Sequence, residues 1–370
     1  MGTMARPFLA LYLTEKRGYT EAQAGLALAV YGAAALVVAP FAGRASDRVG
    51  PVRIMRASLL LGGAVMGLLP LVSSYAATLA LVFLWSVIAE AYRPANLAIL
   101  TALAPPGKTR AVLALNRLAI NLGMSIGPAV GGVLAAVSYP GVFVVDGAMS
   151  ILAGLLLTAG GRVTPAATER RAAHLHASAI RNPALLYFLL ASLPSIAVFF
   201  LQIGALPLFL VRDLQWSTRL YGLLALVNTI PILFLEVALN IRMQHWLHRH
   251  ALALGALLSA VGFGGLAFAR GVPTVIVAIL FWTFGEMILF PGSAAYVAEI
   301  APGPRAGEYM GFYQMTVSVG FILGPWLGTV VLEKFGPVPL WTGALVAGCI
   351  SAAALSRIRE AGAQFVAGGS

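Results

Sequence analysis

Six charged side chains interrupt long apolar stretches of this sequence. Glu90, Arg93, Arg117, Asp146 and Glu286 stand well inside them, and Glu236 lies nearer an end. An ionisable group in hydrocarbon costs roughly 2.5–3.5 kcal/mol on insertion scales, so such residues are kept for pairing or for function. A carboxyl group in a partly dry cavity can exchange protons near neutral pH. Glu90, Asp146 and Glu286 are therefore the candidates for proton coupling, and neither Asp146 nor Glu286 has a basic neighbour within its own stretch. Glu90 has a competing role as the ion-pair partner of Arg117, which would make both structural. Arg110, Arg117 and Asn121 are spaced i, i+7 and i+11, one helical face, suited to lining a cavity. Tyr31, Asn228, Trp282, Tyr313 and Gln314 are further cavity candidates, although Trp85 and Trp282 could equally pack between helices.

These residues need apolar helices to hold them. Of 370 residues, 60% are hydrophobic and 10% are charged, against about 25% charged in a soluble domain. Lipid must then be the solvent for most of the chain. A helix crosses the hydrocarbon core with about 20 apolar residues. Stretches of that kind lie at 21–42, 52–73, 77–101, 110–137, 140–160, 184–210, 218–240, 250–269, 273–298, 307–332 and 338–356. Residues 1–13 are apolar but too short to cross, and lack the charged start and cleavage site of a signal peptide. The polar stretch 161–183 reads as a linker between a first bundle (1–160) and a second (184–360), with a tail at 361–370.

The net charge of +11 does not point to nucleic acid, because the Arg residues flank apolar stretches rather than interleave with exposed aromatics. They concentrate in alternate loops, around 44–56, 108–110, 162–181, 242–249, 305 and 357–359. The excess of Lys and Arg marks the cytoplasmic side, so the C-terminus is expected there. The low Lys usage (Lys16, Lys108 and Lys334 only) suggests a GC-rich bacterial genome and hence the bacterial cytoplasmic (inner) membrane. Cys349 is the single cysteine, which excludes an internal disulfide and a zinc cluster.

Internal repeats are frequent in transporters. Gly127-Pro128 and Gly324-Pro325 are 197 positions apart, and the same offset joins Gly123 to Gly320, Gly131 to Gly328, Trp85 to Trp282, Pro94 to Pro291 and Gly25 to Gly222. One register held across three spans indicates duplication. It also places the start of the first helix about thirteen residues before Met1, so the first helix is expected to be N-terminally truncated, with an upstream start or a shortened product as its origin.

The loop after the second span reads Gly43-Arg44-Ala45-Ser46-Asp47-Arg48-Val49-Gly50-Pro51-Val52-Arg53. It resembles the G-x-L-A-D-R-x-G-R-R signature of the major facilitator superfamily. Gly43, Asp47, Arg48 and Gly50 match, Pro51 and Val52 replace two basic positions, and Arg53 stands close by. The corresponding loop of the second half, Asn240 to His245, lacks the acid. In the fifth span Gly123, Gly127, Pro128, Gly131 and Gly132 form a small-residue face that permits tight helix packing and resembles the antiporter motif of drug exporters in that superfamily.

The resemblance implies an all-α membrane protein of two six-helix bundles, about 12 spans, with the Gly43–Arg53 loop acting as a gate. It further implies a monomeric antiporter: efflux of small amphipathic compounds, a small-molecule substrate exchanged for protons across the lipid bilayer. Uptake or exchange of a polar metabolite, or a non-transporting sensor or inactive paralogue, are the alternatives. No G-x4-G-K-[ST], H-E-x-x-H or G-x-S-x-G motif occurs, so ATP drive, an enzyme activity and a cofactor are not expected.

Overall fold

The computed structural model describes residues 4–103, 109–159, 181–243, 245–301 and 306–359. The greater part of the expected linker, the tail 361–370 and Arg305 lie outside these residues. Among the described residues there is no strand, and eleven helices are long and apolar enough to cross a bilayer. They agree with the eleven spans read from hydropathy.

The first half opens with a 3-10 turn (Arg6–Phe8), a short α1 (Leu9–Leu11) and a π-helical turn (Tyr12–Lys16). There follow α2 (Glu21–Val49), α3 (Pro51–Leu68), α4 (Tyr75–Glu90), α5 (Tyr92–Leu103), α6 (Thr109–Val137) and α7 (Tyr139–Ala159). The second half has α8 (Pro183–Phe200), α9 (Ala205–Leu208), a π-helical turn (Phe209–Asp213), α10 (Thr218–Met243), α11 (His248–Gly265), α12 (Val272–Ile300), α13 (Ala306–Phe335) and α14 (Pro337–Leu355).

Local chemistry sets several of these boundaries. Thr20 and Gln23 form a capping box that starts α2: the Gln23 amide N–H donates to Thr20 Oγ1 at 3.2 Å, and the Thr20 N–H donates to Gln23 Oε1 at 2.9 Å. Gly50 joins α2 to α3 in a single residue at φ 99°, a left-handed conformation a side chain would strain, and Pro51 suits the first turn of α3. The fourth span is broken at Ala91. Pro94 has no N–H to give to the carbonyl of Glu90, and its ring crowds that carbonyl. Its counterpart Pro291 lies inside an unbroken α12, where the carbonyl of Met287 accepts instead from Asn240 Nδ2 at 3.1 Å.

The repeat is visible in the backbone. The two π-helical turns begin at Tyr12 and Phe209, 197 residues apart. Each is followed by a residue at positive φ, Gly18 (67°) and Gln215 (55°). Each is closed by an equivalent bond, Tyr19 N–H to Leu13 O at 3.1 Å and Trp216 N–H to Leu210 O at 3.0 Å. A Cβ on Gly131 would press on Phe8 and Met4, and one on Gly328 on Leu201 and Ala205, the same pairs displaced by 197.

The described residues form two compact units. One comprises those of Met1–Arg170 with Leu206–Leu226; the other, those of Arg171–Ala205 with Val227–Ser370. Segment 206–226 groups with residues of the first half. In the first unit α3 and α7 meet backbone to backbone: a Cβ on Gly63 would lie 2.5 Å from the carbonyl oxygen of Gly147, the close approach small residues allow in lipid. In the second, Leu185, Phe188, Leu252, Leu289, Tyr296, Tyr313 and Leu355 belong to one buried cluster.

Candidate functional site

Each unit holds a buried polar cluster on equivalent helices. In the first, Tyr31 of α2 donates its hydroxyl to Glu90 Oε1 at 2.8 Å. Arg6 Nη2 reaches the Tyr31 hydroxyl at 3.0 Å and Glu90 Oε1 at 3.4 Å, its guanidinium 4.8 Å from the Tyr31 ring centroid. Arg93, two residues beyond the break at Ala91, holds Glu90 Oε2 at 3.0 Å. Ser86 Oγ donates to the Tyr31 carbonyl at 2.6 Å, and Trp85 meets the Tyr31 ring edge-on at 5.0 Å. Two guanidiniums therefore face one carboxylate, whose side chain is 11% exposed.

In the second unit, Asn228 of α10 donates through Nδ2 to Thr283 Oγ1 at 2.9 Å and to Glu286 Oε2 at 3.0 Å, both on α12. Thr283 Oγ1 in turn donates to the carbonyl of Ile279 at 2.7 Å. The repeat register equates Tyr31 with Asn228 and Ser86 with Thr283, while Glu286 is one residue short of the equivalent of Glu90. One residue turns a side chain about 100° around the helix axis, so the two acids leave their spans in different directions. The partners differ as well: two guanidiniums at Glu90, and the side-chain amide of Asn228 at Glu286.

Asp146 has a third role. Its Oδ2 accepts from the backbone N–H groups of Met4 (3.2 Å) and Ala5 (2.9 Å), which open the first helical run. An anionic acceptor at a helix start satisfies amides that have no intrahelical partner and complements the positive end of the dipole.

Glu90 pairs with Arg6 and Arg93; the side chains of Arg117, Gly43 and Asp47 lie outside the described residues. Asp146 is held by two amides. Trp282 is 2% exposed and stacks on Phe263 at 4.6 Å and 11°, and Tyr313 belongs to the buried cluster with Phe188, so the apolar area of both goes against neighbouring rings. Gln314, Arg48 and Arg53 are exposed, and Asn121 is half-buried. Gly127 and Pro128 are buried, whereas a Cβ on Gly123 would meet nothing within 4 Å.

Sequence reasoning missed Arg6, Ser86 and Thr283, and it missed the ends of the spans. Arg212 Nε lies 3.2 Å from Glu15 and its Nη1 3.0 Å from Glu21. Beside this ion triad Phe8 packs on Tyr221 at 5.2 Å, and Thr218 Oγ1 donates to the carbonyl of Gly132 at 3.2 Å. A Cβ on Gly132 would lie 3.0 Å from Cα of Gly222. Segment 206–226 thus packs on the start of the chain and on α6 within the first unit.

Comparison with known proteins places this arrangement. The family model described as Major Facilitator Superfamily matches residues 1–203 and 188–362. The MFS-type transporter YqjV of Bacillus subtilis is 24% identical over 348 residues, covering 90% of this chain and 83% of its own. The multi-drug resistance efflux pump PmrA homolog of Lactococcus lactis is 24% identical, covering 89% and 84%. A Na(+), Li(+), K(+)/H(+) antiporter of Planococcus maritimus is 22% identical, covering 87% and 84%. Among solved structures, the nucleoside transporter NupG superposes with a TM-score of 0.78 at 13% identity, covering 100% and 96%. A POT family transporter bound to a thioalcohol-conjugated peptide superposes with 0.76 at 14%, covering 95% and 91%. At these identities the structural likeness establishes the fold. With its matched length, its eleven membrane-length helices and its duplicated halves, the chain belongs to the Major Facilitator Superfamily of transporters.

Proposed function

We propose that this chain is a proton-coupled exporter of small amphipathic compounds, working by alternating access in the bacterial cytoplasmic membrane with its C-terminus inside. Glu286 is assigned as the proton site, and Glu90 and Asp146 are assigned to structure. The observation that carries this choice is the contrast in partners. A proton on Glu90 would have to displace one of two guanidiniums, and Asp146 is spent on two backbone amides. Asn228 offers Glu286 a neutral donor that tolerates both states of the acid. The ionised acid attracts a cationic or strongly polarised substrate group, and protonation from outside removes that charge and releases the substrate. Return of the empty carrier delivers the proton inside. The names of the Lactococcus and Planococcus relatives support efflux and proton exchange.

The test is Glu286→Gln in proteoliposomes loaded with an amphipathic cation such as ethidium. Exchange of ethidium without a gradient should weaken with the lost charge, exchange of a neutral amphipathic compound should persist, and an imposed proton gradient should no longer accelerate export of either. Gradient-driven export at the unsubstituted rate would overturn the assignment.

A further inference from the structure

A cavity of about 470 Å³ lies where α8 begins and α14 ends, lined by Pro183, Ala184, Tyr187, Tyr296, Arg357 and Arg359. The transport reading makes no use of it. Its size falls within the range of about 300–1,000 Å³ common for small-molecule sites. The turn that follows α14 is fastened in three ways. Tyr187 donates its hydroxyl to the carbonyl of Ala354 at 2.9 Å, and Tyr296 donates to that of Arg359 at 3.0 Å. Ile358 between the two arginines is 4% exposed and joins the buried cluster. With Ile358 anchored, Arg357 and Arg359 both remain exposed. Neither has a carboxylate partner among the described residues.

Helix capping explains the tyrosine bonds by themselves, since the last carbonyls of a helix lack partners. It does not explain two guanidiniums at the wall of a cavity with no carboxylate partner among the described residues. The start of α8 is not the anion site, because Asn182 Oδ1 already accepts from the N–H groups of Ala184 and Leu185. The cavity stands on the arginine-rich side of the chain, where Arg181 is also exposed and where tyrosine suits the headgroup layer.

We infer that this cavity binds the headgroup of an anionic glycerophospholipid from the leaflet on that side, with its phosphodiester between Arg357 and Arg359. The planar guanidinium fork matches paired phosphate oxygens, and the cavity beside it receives the glycerol of the headgroup.

Native mass spectrometry of the detergent-purified protein, titrated with phosphatidylglycerol or phosphatidylcholine, tests this. An arginine near an anionic headgroup contributes about a fivefold factor, so the double variant Arg357→Gln/Arg359→Gln should lose about 30-fold in phosphatidylglycerol affinity. Its phosphatidylcholine binding should not change. Arg242→Gln, on α10, should change phosphatidylglycerol binding less than about twofold. Ala184→Trp, which fills the cavity and keeps both arginines, should also lower it, and decides the matter if the double variant does not fold. Three results would overturn the site: a loss in Arg242→Gln matching that per charge in the double variant, unchanged binding in Ala184→Trp, or displacement of the lipid by millimolar inorganic phosphate, which would mark a free-anion site.

Discussion

Tyr31 and Asn228, 197 residues apart, each donate to a carboxylate on the next-but-one span of their own repeat, at 2.8 Å to Glu90 and 3.0 Å to Glu286. The position has been kept for the same geometric purpose, while the surroundings have diverged. Glu90 holds two guanidiniums, those of Arg6 and Arg93, whereas Glu286 accepts from the amide of Asn228.

Glu90→Gln should therefore damage stability more than coupling. It leaves the largely buried Arg6 without its carboxylate, and breaking a buried ion pair costs about 3–5 kcal/mol. The exposed partner Arg93 (side chain 68% exposed) adds little, since such pairs are worth about 0.2–1 kcal/mol. A clear drop in thermal unfolding temperature is expected in detergent, with gradient dependence retained in whatever protein stays folded. Intact stability with lost coupling would reverse the roles of Glu90 and Glu286.

Asn228→Ala should change the proton dependence of export. The amide donates to the charged form of Glu286, and removing such a bond costs that form about 1.5–3 kcal/mol. Half-maximal proton-driven export should then need about tenfold less acid, since 1.36 kcal/mol corresponds to one pH unit. A pH profile superimposable on that of the unsubstituted protein would count against Glu286.

Asp146→Asn and Asp146→Ala should part company. The amide oxygen of Asn still accepts from the Met4 and Ala5 N–H groups, so little should change. Alanine leaves both N–H groups without their acceptor, at about 0.5–2 kcal/mol, the usual price of a lost cap. Gradient-driven export in both should keep its pH dependence; a shifted profile in Asp146→Asn would show that Asp146 also carries a proton.

Gly222→Val should disturb the first unit more than Arg212→Gln. A side chain at Gly222 meets the carbonyl of Pro128 and the backbone of Gly132, an overpacking worth about 1–3 kcal/mol. Arg212 is 40% exposed in its pairs with Glu15 and Glu21, so its loss should cost less than about 1 kcal/mol and fade with salt. Comparing unfolding temperatures at low and high ionic strength checks the order.

The spans, their number and the repeat were legible in the sequence because lipid imposes them: apolar length and glycine spacing are local, additive signals. The register even extended to residue types, as with Trp85 and Trp282. Arg93 lies three residues from Glu90, but the other partners of the acids were not legible, because they come from segments far away in the chain. Arg6 sits in a stretch too short to read as a span, yet its charge inside apolar sequence was the available signal. Trp282 and Tyr313 looked like cavity residues because an aromatic with a polar tip reads the same in a core and at a cavity wall; burial separates them only in three dimensions.

The paired π-helical turns at Tyr12–Lys16 and Phe209–Asp213 bear on ancestry. A wide turn holds one extra residue relative to a regular helix, and both repeats hold it at the same register, together with the left-handed residue that follows. A single insertion before the gene doubled accounts for both, where two later insertions would have had to coincide to the residue. The ancestral half thus already had the wide turn of its first helix. The one-residue offset between Glu90 and Glu286 was acquired after the copies separated.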